Sequence, residues 1–83
     1  MSRTYTEDEL HGFMGICTAK DRVGRIADDC ARAETDIRWS RGFIEDKDTR
    51  DRMKRLADRI LMLEREAGLI YAELDNLRRE VQA

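Results

Sequence analysis

Few side chains in this chain are of the kinds that make or break covalent bonds. The one histidine, His11, stands beside Gly12; the serines are Ser2 and Ser40, and the cysteines are Cys17 and Cys30. Nucleophilic catalysis needs a hydroxyl or thiol held against a base, and phosphate chemistry needs a glycine-rich loop ahead of a helix; no spacing here suggests either. Asp28-Asp29 and Glu64/Glu66 pair carboxylates, but in a chain of which 41% is charged they read as a solvated flank. No catalytic residue is expected, and so no enzyme. His11, Cys17, Asp21 and Cys30 are the candidate metal ligands, yet none falls in a Cys-x-x-Cys or Glu-x-x-His spacing. Neither a metal nor another cofactor is expected. Gly12-Phe13-Met14-Gly15 resembles a backbone-clamping glycine loop only in its two glycines, because the residues between them are apolar where an RNA-binding loop is polar or basic. Tight packing or a kink accounts for it better.

The cluster with binding chemistry lies mid-chain. Arg38-Trp39-Ser40-Arg41 is followed within a short stretch by Arg50, Arg52 and Arg55. Tryptophan and arginine are the side chains most enriched at binding hot spots, and together they also stack on bases and hold phosphates. Arg38, Trp39, Arg41, Arg50, Arg52 and Arg55 are therefore the candidate partner-binding residues. The competing reading is ordinary helix-surface charge, since Asp36, Glu45, Asp46, Asp48, Asp51 and Asp58 interleave at pairing distances. Residues 38–59 carry a net charge of +3, against -3 for residues 1–37 and -2 for residues 60–83. A basic tip of this kind predicts a protein partner with an acidic surface, with a nucleotide or nucleic acid as the alternative.

Those residues must be positioned by helices. The chain has 83 residues, no proline, 41% hydrophobic residues and a net charge of only -2. That length makes one domain, and the composition is that of long helices. No apolar run approaches a membrane span, and the opening residues lack the apolar core of an export leader, so no membrane and a cytoplasmic location are expected. Cys17 and Cys30 on one helix would stand about 20 Å apart, too far for a disulfide, and two free thiols fit a reducing compartment.

The strongest periodicity is Met53, Leu56, Ile60, Leu63, Ala67, Ile70, Leu74, Leu77 and Val81, spaced alternately by three and four residues. This predicts a helix over residues 48–82, capped by Asp46, Asp48 or Thr49. Ile16, Val23, Cys30, Ile37 and Ile44 recur every seven residues, with Ala19, Ile26 and Ala33 between them, predicting a helix over residues 19–41. Gly42 fits a left-handed cap that brings Phe43 onto Ile37 or Arg38, and residues 42–48 form the turn. The two helices are then antiparallel, with Ile37 against Met53, Cys30 against Ile60, Ile26 against Leu63 and Val23 against Ala67. Thr6-x-x-Glu9 is a capping box, and a phase change near Thr18 predicts a separate short helix over residues 7–17. Gly68, inside the second long helix, suggests close approach of a neighbour.

The expected architecture is thus all-α: a long antiparallel, coiled-coil-like hairpin with a short N-terminal helical segment. Ala57, Leu61, Met62, Leu69 and Tyr71 flank the second seam, more apolar surface than one neighbour covers, and are the candidate homodimer interface of a four-helix bundle. Size and chemistry together predict a non-enzymatic interaction protein acting by surface occupation. Adaptors, assembly factors, antitoxins and phage-encoded inhibitors such as anti-CRISPR proteins share this size class.

Overall fold

A computed structural model describes residues 5–82. Ser2 and the rest of the first four residues lie outside that range. Two helices make up the described chain: α1, Glu7–Arg41, and α2, Lys47–Gln82, packed as a hairpin. The hairpin measures 65 × 17 × 14 Å, and its radius of gyration is 18.9 Å. A compact domain of this length would have a radius near 12 Å, so the molecule is a rod.

The first helix starts where the capping box places it. The Thr6 hydroxyl oxygen accepts the backbone N–H of Glu9 at 3.1 Å, satisfying one of the donors a helix start leaves unpaired. Glu7, Asp8 and Glu9 then set negative charge against the positive end of the helix dipole. Where the sequence predicts a break near Thr18, α1 continues as one helix of 35 residues. The Thr18 hydroxyl donates to the carbonyl of Met14 at 3.0 Å, bonding back onto its own helix instead of capping a new one. The apparent change of phase reflects two faces of that helix: Phe13 and Ile16 are half-buried while Leu10 and Met14 are exposed.

The turn is shorter and tighter than predicted. Gly42 has φ -63°, a right-handed value, and not the left-handed cap its position suggests. The backbone N–H groups of Gly42, Phe43 and Ile44 donate in succession to the carbonyls of Trp39, Ser40 and Arg41. These three-residue bonds wind the last turn tighter and leave no need for a left-handed residue. Phe43 lies against Trp39, with ring centroids 4.7 Å apart. Asp46 begins α2: its carboxylate accepts from the Thr49 N–H at 3.0 Å and from the Thr49 hydroxyl. At the far end of the rod the Tyr5 hydroxyl donates to the carbonyl of Gln82 at 2.9 Å, tying the open end of the hairpin.

Register is the largest departure from the sequence reading. The Lys20 ammonium meets Asp75 at 2.8 Å, a Cβ on Gly24 would meet the Tyr71 ring at 3.2 Å, and Arg38 meets Asp58 at 3.0 Å. Those partners stand rather more than one helical turn further along α2 than the predicted pairs. The seam that α2 presents to α1 therefore combines Ala57 and Tyr71 with Ile60, Ala67 and Leu74. Leu56, Leu63, Ile70 and Leu77, predicted to lie inside, are 41–61% exposed, and Ile26 is 53% exposed. Gly24, not Gly68, is the close approach; no side chain lies within 4 Å of where a Cβ on Gly68 would stand. Among the described residues only Ala57, at 0% exposure, and Ala67, at 6%, are buried.

Candidate functional site

The hairpin tip carries an aromatic pair, and several arginines lie at the same end of the two helices. Trp39 and Phe43 are four residues apart, so the last turn of α1 and its tightened exit place them on one side. Their planes are inclined by 60°, the tilted arrangement aromatic rings favour, and they remain 69% and 70% exposed. A folding role would bury such rings. Here they form an apolar cap on the end of a charged rod.

The arginines predicted to surround Trp39 divide into two groups. Arg38 is committed: its Nε donates to Glu34 at 2.8 Å and its terminal nitrogen to Asp58 at 3.0 Å. Both carboxylates favour the cation and raise its pKa, while Asp58 is held below the usual carboxylate range, chiefly by the Arg38 bond. Arg41 Nε donates to the carbonyl of Arg50 at 3.0 Å, which fastens the end of α1 to the first turn of α2. Arg50, Arg52 and Arg55 are exposed on the first turns of α2, and among the described residues none of their guanidinium groups forms an ion pair. Asp46 is also held low, first by its hydrogen bonds from Thr49 and then by the nearby Arg50 charge. The tip thus offers two exposed rings and three unpaired guanidinium groups.

The candidate interface residues also divide. Ala57 is fully covered within the single chain, so it has no surface left for a second one, and Leu61 is half-buried. Tyr71 packs on Gly24, with the Lys20 ammonium 5.0 Å from its ring centroid. Only Met62 and Leu69 stand well exposed, on the side of α2 away from α1. Sequence reasoning missed Phe43, for which the four-residue spacing from Trp39 was the available signal. It also missed the exposure of Leu56, Leu63, Ile70 and Leu77, which no periodicity argument distinguishes from a buried stripe.

Elsewhere the surface is open. A shallow groove lined by Asp21, Gly24, Arg25, Asp28, Gly68 and Tyr71 runs along the side of the hairpin. It holds no nucleophile beside a base. Cys17 and Cys30 are free, half-buried thiols, and His11 is exposed. Among the described residues no group of three or more His, Cys, Asp or Glu side chains is placed to hold a metal ion, and no helix is long and apolar enough to cross a membrane. No protein-family model, no curated protein and no solved structure matches the chain.

Proposed function

We propose that this protein performs no catalysis and works by occupying a surface of another macromolecule with the tip of its hairpin. The observation that carries the reading is the exposed Trp39–Phe43 pair. Two large rings in solvent carry an unfavourable hydration free energy that docking would relieve, and an indole beside guanidinium groups is the side-chain combination richest in binding energy. The partner is a protein with an acidic patch, because Arg50, Arg52 and Arg55 stand exposed on the first turns of α2, at the same end of the rod as the rings, with no ion pair among the described residues. The free thiols suit a reducing, cytoplasmic setting.

Nucleic acid is the second reading, and the same rings would serve it by stacking. It is the weaker one. Arg38 is neutralised by Glu34 and Asp58, and Arg41 is spent on a backbone carbonyl, so two of the five arginines predicted as phosphate grips are occupied. The test compares the proteins that co-purify with the wild-type chain and with Trp39→Ala/Phe43→Ala. The expected result is one protein retained by the first and lost from the second at an unchanged melting temperature. Equal retention by both chains would refute the tip. Titrating Trp39 fluorescence with a mixed-sequence oligonucleotide at two salt concentrations separates the readings, since a salt-dependent response favours nucleic acid.

A further inference from the structure

The long apolar stripe of α2 has its own occupant. Leu56, Leu63, Ile70 and Leu77 recur every seven residues and so line one side of α2, about a quarter turn from the seam with α1. In an antiparallel pair, positions displaced in the same rotational sense from the contact line fall on the same side. Ala19, Ile26 and Ala33 of α1 therefore continue the stripe into a flat, two-helix apolar face, while Lys20, Gly24, Tyr71 and Asp75 close the opposite side. The chain exposes 6736 Å², whereas a compact monomer of its 9.7 kDa exposes about 5,100 Å². The surplus, about 1,600 Å² per chain, is more than the roughly 800 Å² per partner that a standard stable interface buries.

Charge along the edge of that face identifies what covers it. Arg52 and Arg59 border the stripe in the first half of α2, and Glu66, Glu73 and Glu80 border it in the second, all at the same heptad position and all exposed. None of them is in an ion pair among the described residues. An antiparallel copy of α2 answers this pattern. With a two-fold axis near Glu66, Leu63 lies against Ile70 of the second copy and Leu56 against its Leu77. Arg59 then borders the second copy's Glu73, and Arg52 its Glu80. A parallel copy would set arginine against arginine and glutamate against glutamate. We infer that the protein forms an antiparallel homodimer, a four-helix bundle closed through the Leu56/Leu63/Ile70/Leu77 face, with its two tips at opposite ends. This stands on the face and not on the tip, so it holds or fails independently of the proposed function.

Sedimentation equilibrium of the full chain tests it. The wild type should be a dimer at micromolar concentration, and a monomer would overturn the proposal. Leu63→Glu should be monomeric or unfolded, and a dimer as tight as the wild type would overturn it. Charge reversal avoids any dependence on folding: Arg59→Glu and Glu73→Arg should each weaken the dimer about three- to tenfold, and the double variant should recover most of the loss. Failure of the double variant to recover would mean that the two residues do not meet, and would overturn the antiparallel arrangement. Glu66 of the two copies meets at the axis as the one like-charged contact. In a chain carrying Cys17→Ser and Cys30→Ser, Glu66→Cys should be joined into a covalent dimer by a short bismaleimide, while Asp48→Cys at the tip should not. The reverse pattern would place the tips together and overturn the arrangement.

Discussion

At the residue scale the account depends on Trp39, Phe43 and three carboxylates. Because Trp39 is 69% exposed, Trp39→Ala should change stability by less than about 1 kcal/mol, its loss being mostly the contact with Phe43. The same substitution should weaken partner binding by more than about 1 kcal/mol, and calorimetry on the isolated complex would measure it. Association should also slow as salt rises toward physiological strength, because attraction between a basic tip and an acidic patch is screened over roughly 8–10 Å. Acid should loosen the hairpin. Asp75 is held low, first by the Lys20 bond and then by Arg78; Asp58 is held low chiefly by Arg38, and Asp46 chiefly by Thr49. A carboxylate whose folded-state pKa lies below its ordinary value near 3.8 contributes fully above that value. Its contribution is lost as pH falls through the ordinary value toward the lower folded one. Melting temperature should therefore fall as pH drops below about 4, and Asp75→Asn should reduce that fall while slightly lowering the plateau at neutral pH. An Asp75→Asn chain with an unaltered acid profile would count against the Lys20–Asp75 bridge.

At the scale of elements, the helices were legible and their rotation was not. The Thr6 cap and Asp46 as the start of α2 follow from residue types the structure uses as expected, and the turn falls where the seams place it although Gly42 is not its left-handed cap. The separate N-terminal helix did not survive. Thr18 is indifferent as a cap once its hydroxyl bonds to Met14, and two glycines do not break a helix whose neighbours form one readily. Periodicity shows that α2 is apolar on adjoining stripes without showing which stripe meets α1. The hairpin takes the line through Ala57 and Ala67, whose small side chains let the helices approach, and turns Leu56 and Leu63 outward. Tyr71, which looked like a flank residue, is admitted because Gly24 leaves room for its ring. Glycines with open space above them carry no such role. Gly15→Ala and Gly68→Ala should each stabilise α1 or α2 by about 0.5–1 kcal/mol, raising the melting temperature by several degrees. Gly24→Ala should give less, because its new methyl would press on Tyr71 at 3.2 Å.

At the scale of the whole molecule, a rod 65 Å long with two buried alanines is an unusual object to be stable alone. Apolar burial must offset the conformational entropy of ordering two helices, and most of the large apolar side chains here remain partly in water. In the antiparallel dimer proposed above, a second chain on the Leu56/Leu63/Ile70/Leu77 face would supply the missing burial. The resulting bundle would present two Trp39–Phe43 tips, one at each end, making the dimer a bivalent binder whose tips are too far apart to meet on one small partner. Binding stoichiometry should then be one partner per chain, and light scattering of the complex would read it.

Thermal melting of the wild-type chain at protein concentrations from about 1 to about 100 µM tests most directly whether the hairpin is completed by its own copy. A fold that needs association is stabilised by mass action, so the melting temperature should climb by several degrees across that range. A melting temperature independent of concentration, with the protein sedimenting as a monomer throughout, would contradict the account.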